Sequence, residues 1–199
     1  MNDFDARAAT WDDEMKVRRA EAVAAGIRQT VPLRRSMRAL EYGAGTGLLS
    51  FCLRDAIGSI TLADTSAGMR AVASEKIAVA GAKDMRVVDL DFMRDAVPAD
   101  RYDLVFSMMT LHHVSDVPRG LAAFDELLNH GGYLCIADLD AEDGSFHGPE
   151  MDVHHGFERA ALRADLEKAG FVDITIQDCF VVAHGERQYP VFLACCRKV

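Results

Sequence analysis

Short apolar, β-branched runs alternate with stretches of helical period along most of the chain. Runs at 37–42, 60–64, 85–89, 103–108 and 132–138 have strand length. Helices are predicted at 47–56, 66–80 and 117–128, and a loop follows the third strand. A polar segment, 139–156, then precedes a helix at 157–169 and two last strands at 172–177 and 191–197. Ahead of these, residues 6–29 are Ala-rich and proline-free, which predicts one continuous helix, broken by Pro32 and the arginines after it.

Strands alternating with helices predict an α/β fold, with a parallel sheet covered on both faces. Such sheets bind ligands beyond the carboxyl ends of their strands, where the strand order reverses. Only residues 180–189 separate the last two strands, so an antiparallel hairpin is expected at the sheet edge.

Composition narrows the class. A chain of 199 residues, half of them hydrophobic and 27% charged, suits one globular domain. No apolar run has membrane length, and the acidic N-terminus lacks the apolar stretch of a secretory signal, so a cytoplasmic protein is expected. Cys52, Cys135, Cys179, Cys195 and Cys196 form no CxxC pair, which suits reduced, buried thiols. The net charge of −9, with Arg34, Arg35 and Arg38 as the one basic cluster, disfavours a nucleic-acid partner.

The candidate chemistry begins at Glu41-Tyr-Gly43-Ala-Gly45-Thr46-Gly47, which ends a strand and opens a helix. Glycines let the backbone turn sharply and approach a ligand. A dinucleotide site needs Gly-x-Gly-x-x-Gly, but its third glycine position holds Leu48, and nothing resembles the Gly-Lys-Ser/Thr of a phosphate loop. Asp64 ends the second strand, where a carboxylate accepts hydrogen bonds from ribose hydroxyls. Asp91, following the third strand, is placed to accept from an adenine amino group, while the Phe92 amide reaches a ring nitrogen. Together with Glu41 these acids suit a cationic nucleoside and repel a pyrophosphate.

The motifs ALEYGAGTG, ITLADTSAGM and YDLVFSMMTLHHV, with the later HHGFERAALRADLEKAGF and FLACCRK, resemble those of class I S-adenosylmethionine-dependent methyltransferases over nearly the whole chain. The resemblance implies a Rossmann-like sheet of seven strands, mostly parallel with an antiparallel last strand and helices on both faces. It implies a single domain over 1–199: an N-terminal helical lid at 1–30, a cofactor half at 37–139 and a substrate-side half at 140–199. The cofactor it implies is S-adenosyl-L-methionine, with S-adenosyl-L-homocysteine as product. Glu41, Gly43, Ala44, Gly45 and Gly47 then surround its methionine part. Asp64 takes the ribose, Thr65 and Met69 line the adenine pocket, Asp91 and Phe92 bind adenine, and Ser107 and Met108 lie beside the sulfonium. Asp89 competes with Asp91, which is preferred on its distance from the fourth strand, and ordinary helix packing competes for Met69. AATWDD resembles the family's AxxYD stretch, and places Trp11 either as an aromatic lid whose face attracts the sulfonium or as a packing anchor.

Methyl transfer mainly requires alignment, with a base only when the nucleophile arrives protonated. His112, His113 and His154 are the candidate catalytic residues, against roles in orienting neighbouring side chains or in holding the fold. The segment 137–157 carries Asp138, Asp140, Glu142, Asp143, Glu150 and Asp152 beside His147, His154 and His155. It reads as a substrate wall, with His147 and His155 as acceptor contacts, or as a capped surface loop. A metal site there is conceivable by residue type, but no recognised ligand spacing is present and none is assigned. Arg187 is placed to bind an acidic group of the acceptor. The expected function is methyl transfer to an oxygen, nitrogen or sulfur of a small molecule, by a monomer or homodimer without nucleic-acid or membrane partners. The alternatives are a SAM-binding protein with another reaction, a non-catalytic partner subunit, and a nicotinamide-dependent oxidoreductase disfavoured by Leu48.

Overall fold

A computed structural model describes residues 3–147, 151 and 153–199; Glu150 and Asp152 of the polar segment lie outside them. Seven strands form one sheet: β1 (Arg38–Tyr42), β2 (Ser59–Ala63), β3 (Met85–Val88), β4 (Tyr102–Met108), β5 (Leu128–Leu139), β6 (Phe171–His184) and β7 (Arg187–Lys198). Their order is β3-β2-β1-β4-β5-β7-β6. The first five run parallel, and β7 pairs antiparallel with both β5 and β6. The expected hairpin is present, but its strands run far past their predicted ends, to a turn at Gly185 and Glu186 where His184 pairs with Arg187. Cross-strand pairing carries polar residues into the ladder, beyond where apolar runs alone mark a strand.

Each face of the sheet buries its own core. On one side lie α2 (Glu14–Thr30), α3 (Leu48–Leu53) and α4 (Ala67–Val79), which contribute Val23, Ile27, Leu49, Leu53 and Ala73. On the other lie α5 (Val117–Leu127) and α6 (Arg159–Lys168), with Leu121, Phe124, Leu162 and Leu166. Burying one such Leu or Phe contributes about 1.5–3 kcal/mol, so the layers hold without help from disulfides. The three thiols Cys135, Cys195 and Cys196 are buried, and Cys52 and Cys179 half-buried, all unpaired.

The predicted N-terminal helix is two helices. α1 (Asp3–Arg7) and a 3-10 turn (Ala8–Thr10) are separated from α2 by Trp11–Asp13, because Asp13 leaves helical geometry and its carboxylate accepts the Lys16 amide at 2.8 Å. The break divides two jobs. α2 packs in the core through Ala20, Val23, Ala24 and Ile27, while residues 3–13 cross the carboxyl ends of the strands. Asp5 accepts from Ser66 Oγ at 2.6 Å and from the Gly68 amide at 2.9 Å, tying α1 to the start of α4. Arg35 and Arg38 of the basic cluster are engaged, with backbone carbonyls of Arg54 and Ile57 and with Asp100 respectively.

Candidate cofactor and acceptor site

The order reverses between β1 and β4, and a cavity of about 380 Å³ opens there. That volume lies in the range of small-molecule sites, about 300–1,000 Å³. Its floor is the glycine loop. Gly43 has φ +68° and lies so close to Thr110 that an added Cβ would fall 2.1–2.8 Å from that side chain. Thr110 Oγ1 donates to the Gly43 carbonyl at 3.2 Å, so the loops after β1 and β4 are clamped together. Gly47, at φ +83°, starts α3 with no room for a Cβ beside Leu62, so it serves the turn and not the cavity wall.

Asp64 sits at the cavity edge, mostly buried. Its Oδ2 accepts the Gly45 amide at 2.7 Å and its Oδ1 the Ser66 amide at 2.8 Å. Burial raises its pKa, and the two amides oppose the rise. Each oxygen keeps a second lone pair for a ligand hydroxyl. Thr65 and Met69 line the same wall. Asp91 also lines it, and its Oδ1 accepts the Met93 amide at 2.8 Å. Asp89 points elsewhere and is ion-paired with Arg70 and Arg94, both at 3.0 Å. Phe92 is buried away from the cavity, stacked on Tyr42 at 4.4 Å, and its amide faces the Tyr42 hydroxyl at 3.4 Å.

Glu41 is buried at the back. Ser50 donates to its Oε2 through both amide and hydroxyl, yet burial pushes the carboxyl up to about 8. Ala44 and Gly45 form the wall beside it. Arg19, on α2, also reaches this wall. It is 7% exposed, its Nε has no hydrogen-bond partner among the described residues, and burial lowers its pKa despite Asp13 and Asp138. Sequence reasoning missed it. One signal was available: its place on the apolar stripe with Val23 and Ile27, where an arginine needs a reason to be buried.

The N-terminal segment roofs the cavity. Asp12 accepts from the Thr46 hydroxyl and from Lys76 Nζ at 2.9 Å. Trp11 stands over Gly45, with Lys16 and Arg7 at 4.8 and 5.2 Å from its ring centre and Phe4 packed edge-on at 5.7 Å. The ring therefore already attracts two cations of its own chain.

The wall after β4 is built from Met108, Met109, Thr110 and His113. Met109 holds a left-handed φ of 56°, offset by its N–H donating a hydrogen bond to the Ala137 carbonyl at 2.8 Å. Ser107 lies off this wall, buried, and its hydroxyl has no partner among the described residues. His113 lines the cavity and packs edge-on against Phe4 at 5.4 Å. Burial, with His112 and His147 beside it, lowers its pKa to about 3.

His112 does not reach the cavity. It is 1% exposed, with Nδ1 at 2.6 Å from Asp138 and Nε2 at 2.9 Å from His147 Nε2. Burial alone would raise Asp138, but the adjacent His112 ring and the amides of Leu139 and His112 hold it low. A carboxylate can only accept, so His112 directs Nδ1–H at Asp138, and one proton lies between its Nε2 and that of His147. Burial lowers His147 to about 4.

The remaining candidates lie elsewhere. His154 bonds the Val114 carbonyl through Nε2 at 3.0 Å and the His112 carbonyl through its amide at 2.8 Å, which docks segment 153–157 rather than facing the cavity. His155 is exposed against Gly144. Arg187 is on the hairpin turn, paired with Asp143 at 2.8 Å and Ser145, because the long β6–β7 ladder carries it away from the strand ends.

The sheet order and the cavity at its switch point define a Rossmann-like α/β fold with a ligand-sized cavity at the carboxyl ends of its strands. The family model for the methyltransferase domain matches residues 15–176, and the chain belongs to that family. Two curated relatives are a hybrid PKS-NRPS synthetase, lepA, of Aspergillus flavus (34% identical over 67% of this chain) and an uncharacterized methyltransferase of Geobacillus thermodenitrificans (26% over 80%). The chain spans 4% of the first and 73% of the second. Among solved structures, a SAM-dependent methyltransferase from Aquifex aeolicus aligns with TM-score 0.73 at 22% identity, over 98% of each chain. A Haloferax volcanii methyltransferase, solved in complex with the Trm112 activator, aligns with TM-score 0.80 at 20% identity, over 99% of this chain and 98% of its own. The protein is a methyltransferase, and the cofactor that the sequence motifs imply is S-adenosyl-L-methionine. The donor set fits that cofactor: carboxylates where hydroxyl and amino donors would lie, and a buried guanidinium with an unused donor.

Proposed function

We propose that the chain transfers the methyl group to an oxygen, nitrogen or sulfur atom of a small molecule entering between Met108, Met109, Thr110 and His113. The observation that carries this reading is the roof: residues 3–13 are tied to the glycine loop through Asp12–Thr46 and to α4 through Asp5, leaving a compact cavity. A net charge of −9 supports an acceptor other than a nucleic acid.

Asp64 holds the ribose hydroxyls and Asp91 the adenine amino group, while Thr65, Met69, Leu90 and Met93 enclose the base. Arg19 pairs with the carboxylate of the methionine part, and Glu41 faces its ammonium. When bound, the cofactor supplies a methyl carbon activated by its sulfonium, so the chain's task is alignment and exclusion of water. His113, neutral with a pKa of about 3, accepts a hydrogen bond from an acceptor O–H, N–H or S–H. It is too weak a base to keep that proton, so it orients the acceptor. His112 acts through others, as a positioning residue held by Asp138.

Calorimetry with S-adenosylhomocysteine and with NAD tests the cofactor half, and binding of the first alone is expected. Product analysis with methyl-labelled cofactor over a panel of small hydroxyl, amine and thiol acceptors tests the transfer. Label retained in the cofactor, or recovered in a modified cofactor, would sink it. A second reading has one support, the likeness to the Haloferax protein solved with an activator. In it this chain needs a partner subunit, and the purified chain alone binds cofactor but turns over no acceptor.

A further inference from the structure

We propose that His112, His113 and His147 form a mononuclear site for a late first-row divalent cation, of the zinc or cobalt type, at the acceptor wall. The three imidazoles come from the turn after β4 and from the segment after β5, and one nitrogen of each lies within 4.8 Å of the others. Nitrogens on one tetrahedral zinc, each at about 2.0–2.1 Å, sit roughly 3.4 Å apart, so small ring rotations close the set.

The contact between His112 and His147 shows where the ion would lie. Their Nε2 atoms are 2.9 Å apart and share one proton. Asp138 accepts from the Nδ1–H of His112 at 2.6 Å, which leaves Nε2 as the ring atom directed at His147. A fully buried carboxylate behind a histidine is the arrangement that fixes tautomer and ring angle in metal-bound imidazoles. An ion entering there replaces the shared proton, which moves to His147 Nδ1, so no net charge is displaced from the protein. Donors that are all imidazole favour zinc, copper, nickel or iron over magnesium or calcium.

His113 gives the site its purpose, because it also forms the cavity wall. Three protein ligands leave a fourth position for water or an acceptor atom. An acceptor hydroxyl or thiol held there would release its proton to water and present an anion to the methyl carbon, in place of the hydrogen bond to His113, whose one lone pair the ion would take. That use of the ion rests on the methyl-transfer reading; the ion site does not.

The test is titration of metal-free protein with cobalt(II), followed by visible absorption, with displacement by zinc. One cobalt per chain, with the intense bands of four-coordinate geometry, is expected. His147→Ala and the milder His147→Gln should each weaken binding at least tenfold, and Asp138→Asn about 10–100-fold. His155→Ala, outside the set, should bind as the parent does. S-adenosylhomocysteine affinity, measured on the same samples, reports that each variant is folded. Cobalt binding that is absent, substoichiometric or unchanged in both His147 variants, in protein that still binds S-adenosylhomocysteine, overturns the site and leaves the methyl-transfer reading standing.

Discussion

The two sides of the cavity are built by different means. The cofactor side uses backbone: Gly43, Gly45 and Gly47 all have positive φ, and Asp64 holds two amides in place. The side proposed for the acceptor uses side chains, those of Met108, Met109 and His113, with the Asp138–His112–His147 chain behind it brought together over long sequence separations. A ligand recognised through backbone demands glycine at fixed positions, whereas one recognised through side chains permits many arrangements. Substitutions on the first side should therefore damage fold and cofactor binding together. Those on the second should separate turnover from binding.

The sharpest way to break the comparison is Gly43→Ala. The new Cβ meets Thr110 at 2.1–2.8 Å, in a backbone conformation unfavourable to alanine. A cost of about 2–4 kcal/mol is expected from strain and overpacking together, equal to roughly 5–15 °C in Tm for a domain of this size. S-adenosylhomocysteine binding should vanish with it. Normal melting and binding would mean that the two loops are not clamped as described. Next in size is Asp64→Ala, which removes the proposed ribose contact and leaves the Gly45 and Ser66 amides without an acceptor. Calorimetry should show cofactor affinity weaker by about 1–3 kcal/mol.

Glu41 gives a pH signature specific to the cofactor side. Its folded pKa of about 8 lies above the usual 4.5, so the group binds more protons folded than unfolded. Its share of stability is full below about pH 4.5 and is lost as pH rises through 8. At about 1.4 kcal/mol per unit the loss is on the order of a few kcal/mol. Glu41→Gln keeps an acceptor for Ser50 and should flatten the fall in Tm between pH 6 and pH 9. An equal fall in both proteins would remove Glu41 as its source.

The same division explains what could be read before the structure. The succession of strands along the chain and the glycine loop follow from local period and from spacing over some twenty residues, and Asp64 and Asp91 reach the cavity accordingly. The break at Trp11–Asp13 was less legible, because Ala-rich flanks mask a single N-capping aspartate. The partnership of His112 with His147 spans 35 residues and no periodicity announces it. Met108 and Ser107 are adjacent in β4, yet alternation puts only the first on the cavity wall. The Phe92 amide and the His154 ring carry the expected chemistry, but the Tyr42 hydroxyl and the Val114 carbonyl engage them elsewhere.

The smallest expected effect, Arg187→Ala, sharpens the comparison from the other direction. A cation between the last two strands suggests an acidic acceptor, and the shorter predicted hairpin would have placed it at the cavity mouth. The observed ladder continues to His184 opposite Arg187, and the guanidinium pairs with exposed Asp143 instead. Exposed pairs of this kind contribute little, because solvent and salt screen them. Melting temperature and KM for any acceptor, carboxylate-bearing ones included, should therefore stay within about twofold of the parent's or unchanged. A large rise in KM for acidic acceptors alone would bring the hairpin into the acceptor site. It would also extend the side-chain-built half of the cavity well beyond His113.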